Sequence, residues 1–101
     1  MQLEDEKVFL PWKERLKNGI FLIENSDYST LRKITSYVMR FFKEFPDYVV
    51  IIEGRGKKNI RGAEKVVLAL GKWIEVLKIE TGIFEEEKTI TVTARKADGF
   101  F

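Results

Sequence analysis

The stretch "VVIIEGRGKKNIRGAEK", residues 49–65, joins a run of apolar residues to a glycine-rich basic segment. The apolar run is typical of a buried strand. Gly54 and Gly56 mark the exit from that strand, because glycine tolerates backbone conformations that other residues avoid. Five cations and one anion occupy residues 55–65, although the whole chain carries only +2. The pattern therefore predicts a buried strand that leads into a positively charged loop and helix.

Length and composition limit the classes of protein to which this chain can belong. A chain of 101 residues with 45% hydrophobic and 13% aromatic residues suits a single packed domain. It has no cysteine and no histidine, so disulfides, zinc fingers, thiol chemistry and the commonest metal ligand are excluded. No apolar run approaches the roughly 18–20 residues of a membrane span, and the start "MQLEDEK" is acidic, unlike a signal peptide. We expect a cytoplasmic protein with no cofactor, no bound metal and no membrane partner.

Charge is distributed unevenly along the chain. Residues 1–30 carry −2, residues 31–72 carry +6, and residues 73–101 carry −2. A basic block between two acidic flanks predicts one localised positive face rather than a uniformly charged surface.

Four segments between residues 19 and 75 have the patterns of strands and helices. "GIFLIEN" (19–25) is a short apolar run between turn formers, and "YVVIIE" (48–53) is typical of a central strand covered on both sides or paired across an interface. Between them lies a predicted helix, capped by Ser26 or Asp27 and ended by Pro46. Its predicted buried face consists of Leu31, Ile34, Val38, Phe41 and Phe42. A second helix is predicted from about Asn59 to Glu75.

The chain ends in a predicted hairpin. Leu77, Ile79, Thr81 and Ile83 alternate with polar residues, and Ile90, Val92 and Ala94 alternate with threonines after the turn "EEEK" (85–88). The element order is β-α-β-α-β-β, which predicts a two-layer α+β sandwich with four strands on one side and two helices on the other. We assign residues 19–97 to this domain, 1–18 to an N-terminal extension (short helix or arm), and 98–101 to a tail.

The second predicted helix has more apolar surface than one sheet needs. Its apolar positions sweep about half the circumference, which is wider than the roughly 100° stripe of a surface helix. The surplus could be covered by the N-terminal segment. The interpretation we favour is a homodimer interface, because tryptophan often anchors interfaces. The residues assigned to it are Val66, Ala69, Leu70 and Trp73.

The basic segment has the chemistry of a phosphate site. Arg55, Lys57 and Lys58 lie beside the predicted N-terminus of the second helix, where free amides and the helix dipole favour anions. Arg61, Lys65 and Lys72 are predicted to line one side of that helix. Neither a P-loop nor the dinucleotide motif GxGxxG is present, so nucleotide hydrolysis has no support. The alternative is that these cations only solvate an exposed loop.

The same residues resemble the Alba superfamily of small DNA- and RNA-binding proteins. Arg55-Gly56-Lys57 and Ile60-Arg61-Gly62-Ala63 stand where the family has its basic loop and the start of a helix, with one extra residue between the two motifs. The resemblance extends from about Gly19 to Lys96 in element order. It implies a β-α-β-α-β-β fold with a mixed sheet, related to the C-terminal domain of a bacterial initiation factor, and dimers that bind nucleic acid. Family members are abundant in archaea and have eukaryotic relatives in RNA-processing complexes, so the resemblance implies an archaeal protein that could associate with chromatin or the nucleoid.

Two departures from the family pattern concern its expected contact regions. The first loop reads "ENSDYS" (24–29) instead of carrying a lysine pair, and Arg32 and Lys33 are the nearest substitutes. The final hairpin is short and acidic instead of long and basic. We therefore predict a weakened or redirected nucleic-acid binder. Its site residues are Arg55, Lys57, Lys58, Asn59, Arg61, Lys65, Arg32 and Lys33.

Two further functions compete with this prediction. The chain could be an interaction module that pairs with another Alba-like chain and binds nucleic acid weakly or not at all. It could also be an enzyme with a divalent cation held by Glu24, Asp27 and Glu53, but strand-end carboxylates more often serve as caps and surface charges. We predict a binding protein with no catalytic residues, whose partners are RNA or DNA and a second copy of the chain.

Overall fold

The computed structural model describes residues 19–98, so the predicted N-terminal extension and the residues after Asp98 lie outside the described part. The element order is β-α-β-α-β-β, as predicted. The strands are β1 (Ile20–Ile23), β2 (Val49–Arg55), β3 (Ile74–Phe84) and β4 (Glu87–Lys96), and the helices are α1 (Tyr28–Glu44) and α2 (Lys57–Leu70). No helix in residues 19–98 is long and apolar enough to cross a membrane.

The four strands form one mixed sheet in the order β1-β2-β4-β3. β1 runs parallel to β2, and β4 runs antiparallel to both of its neighbours. Alternate residues of β1, β2 and β4 are buried against the helices, and the core of the protein lies in this layer. On the opposite face of β2, Ile51 and Glu53 are half-buried. The α+β sandwich expected from the sequence is thus confirmed.

Helix α1 follows its predicted pattern closely. The Asp27 carboxylate accepts a hydrogen bond from the Thr30 amide at 2.8 Å and caps the first turn. The five apolar residues predicted for its inner face are all buried. The helix ends at Glu44, two residues before Pro46, because the residue that precedes a proline is disfavoured in helical conformation.

Helix α2 is shorter at its end than the sequence predicted. It runs from Lys57 to Leu70, and Gly71 then adopts a positive φ of 49°. A short 3-10 turn, Gly71–Trp73, leads directly into β3. Lys72 and Trp73 therefore do not belong to the helical faces to which the prediction assigned them.

Strand β3 also departs from prediction. A register irregularity between Val76 and Lys78 shifts the alternation at Leu77. The residues opposite the buried positions of β4 are Val76, Ile79 and Thr81. Beyond Ile74, however, every residue of β3 is exposed. The side chains at these positions point to the helical side of the sheet, but they lie past the area that the helices cover.

The connection between β2 and α2 depends on a close backbone contact at Gly54. A Cβ atom at this position would lie 2.7 Å from the carbonyl carbon of Asn59 and 3.2 Å from the amide nitrogen of Ile60. Gly54 is buried and paired on both sides, with Ile23 of β1 and Ile90 of β4. Only glycine allows the first turn of α2 to pack this closely on the strand.

We predict that Gly54→Ala lowers the free energy of unfolding by about 1–3 kcal/mol, because the added methyl group overpacks a rigid backbone contact. Urea denaturation followed by circular dichroism measures the change. Gly82→Ala is the matched control, since its Cβ would lie 3.4 Å from the Thr89 hydroxyl, an ordinary contact. That control should change stability by no more than about 0.5 kcal/mol. Equal effects of the two substitutions would contradict the role given to Gly54.

Candidate nucleic-acid interface

The junction between β2 and α2 is held to the sheet by backbone hydrogen bonds. Gly56 precedes the helix with a φ of 84°, a conformation that favours glycine. Its amide donates to the carbonyl of Lys88 in β4 at 2.8 Å, and its own carbonyl accepts from the Ile60 amide at 2.9 Å. No side chain caps this helix start. The first-turn amides and the positive end of the helix dipole therefore remain available to an anion.

A polar cleft of about 600 Å³ opens between this helix start and the loop that connects β1 to α1. Lys58, Arg61 and Lys65 of α2 contribute three cations to it. Glu24 and Asp27 of the loop contribute two carboxylates on the opposite wall. The cleft as a whole thus carries a small excess of positive charge beside a helix N-terminus.

The two walls of the polar cleft are joined through Ser26. Its hydroxyl lies within hydrogen-bonding distance of two acceptors, the Lys58 carbonyl at 2.9 Å and the Asn59 side-chain oxygen at 2.8 Å. Gly62 permits this approach, because a Cβ there would lie 2.5 Å from the Ser26 hydroxyl. Asn59, predicted as a nucleic-acid contact, therefore also holds the loop in place. The sequence offered Ser26 only as a cap of α1, a role that Asp27 takes; no motif relates Ser26 to residues 32 and 33 positions later.

The Asp27 carboxylate is already engaged within its own helix. It accepts hydrogen bonds from the Thr30 amide at 2.8 Å and from the Ser29 hydroxyl at 3.0 Å. The bond from the Thr30 backbone is the main reason why the pKa of Asp27 lies below its ordinary value of 3.8. Asp27 is thus negative at neutral pH, and part of its charge stabilises the first turn of α1.

Arg55, the first cation of the basic segment, lies apart from the cleft. It ends β2 on the face of the sheet opposite the buried residues. Its guanidinium lies 4.2 Å from the centroid of the Phe84 ring and 3.6 Å from a carboxylate oxygen of Glu53. These contacts hold Arg55 to its own sheet, so the structure does not bring it together with Lys58, Arg61 and Lys65.

The acidic hairpin turn lies near the start of the basic segment. Glu85 and Glu86 form a two-residue turn with φ values of 51° and 68°, a geometry that usually selects asparagine and glycine. The next residue, Glu87, has a carboxylate oxygen 2.8 Å from where a Cβ of Gly56 would lie. Negative charge therefore lies beside the positive end of α2 and opposes the approach of an anion from that side.

The remaining predicted cations lie on the helices. Lys57 is exposed at the first position of α2. Arg32 and Lys33 are exposed on α1 and border a groove of about 350 Å³ on its outer surface. Arg32 also borders a second groove, of about 280 Å³, between α1 and α2, where it lies across from Lys65. Lys65 belongs to both the polar cleft and this interhelical groove.

The four predicted interface residues do not form one surface. Val66 and Leu70 are buried in the core of their own chain, with exposures of 1% and 0%, so they cannot contribute side-chain area to a partner. Ala69 is exposed on the side of α2 that faces α1, and Trp73 is half-buried in the 3-10 turn. Strand β3 does carry exposed apolar residues, among them Val76, Ile79 and Ile83, which are 38%, 60% and 77% exposed.

The three carboxylates considered for a divalent cation are not brought together. Glu24 and Asp27 border the polar cleft, whereas Glu53 lies on the far face of β2 beside Arg55. Within residues 19–98, no three aspartate, glutamate, histidine or cysteine side chains form a group that could hold a metal ion. Among the described residues, the predicted cations of the two helices meet at the polar cleft and at the two grooves beside it.

Comparison with known proteins identifies the fold. No protein-family model matches the chain, and no curated protein matches it. Among solved structures, the chain is similar to the crystal structure of Alba1 from Trypanosoma brucei, with a TM-score of 0.70 and 19% sequence identity. The match covers 82% of this chain and 74% of that chain. The chain has an Alba-like fold, which confirms the architecture that the resemblance in sequence implied.

Proposed function

We propose that the protein binds nucleic acid through its phosphate backbone, and that the polar cleft is the principal contact. The observation that carries this proposal is that Lys58, Arg61 and Lys65 line one cleft, which opens beside the uncapped N-terminus of α2. Point charges, a guanidinium and free amides are the groups that proteins use to hold phosphate. The Alba-like fold supports the same conclusion, because the family that the sequence resembles binds DNA and RNA. Binding, not catalysis, is the role we assign.

We give some of the predicted contact residues a smaller part in binding than the sequence suggested, because of where their side chains lie. Arg55 becomes peripheral, since its charge is shared with Glu53 and its guanidinium packs on Phe84. Asn59 becomes a support for the cleft wall. Glu24 and Asp27 reduce the net charge that a phosphate meets in the cleft. We therefore propose a binder of modest affinity that does not read sequence, in agreement with the weakened binder expected from the first loop and the hairpin.

A triple substitution in the cleft tests the proposal. Binding of duplex DNA and structured RNA to Lys58→Ala/Arg61→Ala/Lys65→Ala is measured by filter binding over a salt series. We expect weaker binding and a log–log salt slope that is shallower by about two to three units, because three phosphate contacts no longer release counterions. The control is Arg40→Ala/Lys43→Ala/Lys78→Ala, which removes the same charge elsewhere. A wild type without affinity at low salt, or equal slopes for both variants, would contradict the proposal.

The acidic turn should limit the affinity of the same surface. We predict that Glu85→Gln/Glu86→Gln/Glu87→Gln raises the affinity for nucleic acid several-fold at low salt, an effect that fades as salt screens exposed charges. Glu44→Gln/Asp47→Asn/Asp98→Asn is the control, since it makes the same change in net charge at the other end of the sheet. Electrophoretic binding assays at two salt concentrations measure both variants. An equal gain in the control would show that net charge alone, and not the turn, determines affinity.

We also propose that the chain forms a homodimer through the apolar residues of β3. Val76, Ile79 and Ile83 point to the helical side of the sheet and stay exposed. The half-buried Ile60 of α2 borders the same area, together with Gly82 and Thr89. Such an apolar area favours an interaction with another protein. A heterodimer with another Alba-like chain is the alternative, and it would use the same strand.

Sedimentation equilibrium of the wild type and of Ile79→Lys tests the homodimer. We expect a dimer for the wild type and a monomer for Ile79→Lys, because a buried, unpaired lysine at an apolar interface costs several kcal/mol. Leu68→Lys is the control; Leu68 is 78% exposed on α2 and the variant should stay dimeric. A monomeric wild type would exclude self-association and leave the heterodimer. If Ile79→Lys remains dimeric, the assignment of the interface to β3 is wrong.

A further inference from the structure

Tyr28 is exposed although it begins a helix that directs two other aromatic residues into the core. Its side chain is 77% exposed, whereas Phe41 and Phe42 of the same helix are buried at 4% and 0%. The guanidinium carbon of Arg32, one turn later, lies 5.7 Å from the centroid of the Tyr28 ring. The ring is thus supported by a cation, and most of its surface is open to solvent.

Tyr28 lies between two grooves lined by cations. It borders the outer groove of α1 together with Arg32 and Lys33, and the interhelical groove together with Arg32 and Lys65. Lys65 also borders the polar cleft. A strip of surface therefore runs from the cleft past Lys65 and Tyr28 to Lys33.

The strip differs from the cleft in charge. Neither groove is lined by a carboxylate, whereas the polar cleft has Glu24 and Asp27. Apart from Tyr28 and the cations, the polar lining is hydroxyl groups, from Ser29, Thr35, Ser36 and Tyr37. A phosphate chain on this strip meets positive charge from Arg32, Lys33 and Lys65, with the Tyr28 ring among these cations.

We infer that this strip binds a single-stranded segment of nucleic acid, with one base stacked on Tyr28 and the neighbouring phosphates on Arg32, Lys33 and Lys65. The inference rests on the proposed function and specifies its ligand. Every base has a π face, so stacking on tyrosine tolerates any sequence. The bases of an intact duplex are stacked on one another and cannot reach the ring. Duplexes would then contact only the polar cleft, and single strands would contact the cleft and the strip.

The test separates stacking from charge. Fluorescence anisotropy measures three labelled RNA probes of equal length: a mixed-sequence single strand, the same strand with abasic sites, and a duplex. Tyr28→Ala should weaken binding of the intact single strand by roughly 5- to 150-fold, the loss that removal of one stacked base contact brings. Its affinity for the abasic strand and for the duplex should equal that of the wild type. Tyr28→Phe keeps the ring and should bind as the wild type does.

Each other outcome has a defined meaning. If the wild type binds no probe, the proposed function fails and this inference fails with it. If the wild type binds and Tyr28→Ala changes nothing, or lowers affinity for intact and abasic strands equally, the stacking site is wrong while the phosphate-binding proposal stands. A single-stranded DNA probe of the same sequence shows whether the ribose hydroxyl contributes. Tyr28 is exposed, so Tyr28→Ala should fold normally, which thermal denaturation verifies.

Discussion

The close packing of α2 on Gly54 is the contact on which the geometry of the site depends. The backbone at Asn59 occupies the space where a Cβ of residue 54 would lie. The first turn of α2 therefore packs directly against the end of β2, only one residue after the strand ends. This turn is thereby placed against the β1–α1 loop, where Ser26 bridges to the Lys58 carbonyl. The cations at positions 58, 61 and 65 are then directed into one cleft. Without this contact the three cations would be close in sequence but would not line one cleft.

The same strand exit divides the basic segment between two faces of the protein. Arg55 is the last residue of β2 and follows strand alternation to the far face, where Glu53 and Phe84 hold it. Two residues later the chain is helical, and its side chains follow a different period. The five cations between residues 55 and 65 are therefore close in sequence but do not all lie on one surface of the protein. The cations that remain together are those that share one side of α2.

Regular periodicity explains what the sequence could predict, and its limits explain the errors. The order of elements and the inner face of α1 were predicted correctly because their apolar residues repeat over long stretches. The end of α2 was missed because apolar residues continue past Gly71 into Trp73 and Ile74, and this periodicity was given more weight than the glycine, a residue that often ends helices. Val66 and Leu70 were assigned to an interface because the width of an apolar arc does not reveal how deeply a helix is buried. The pairing of Ser26 with Asn59 joins positions 33 residues apart, which no local pattern records.

The two kinds of contact proposed here respond to different physical conditions. Phosphate contacts in the cleft draw on counterion release, so they weaken as salt rises, and Glu24 and Asp27 already limit them. Stacking on Tyr28 depends on contact between the π surfaces of a base and the ring. Salt has little effect on such a contact, because it is not an interaction between charges. A protein with weak phosphate contacts and an accessible aromatic ring beside its cations gains most from a ligand whose bases are free. Under this proposal an acidic first loop and an acidic hairpin turn are compatible with binding, because unpaired bases supply contacts that do not depend on the phosphate backbone.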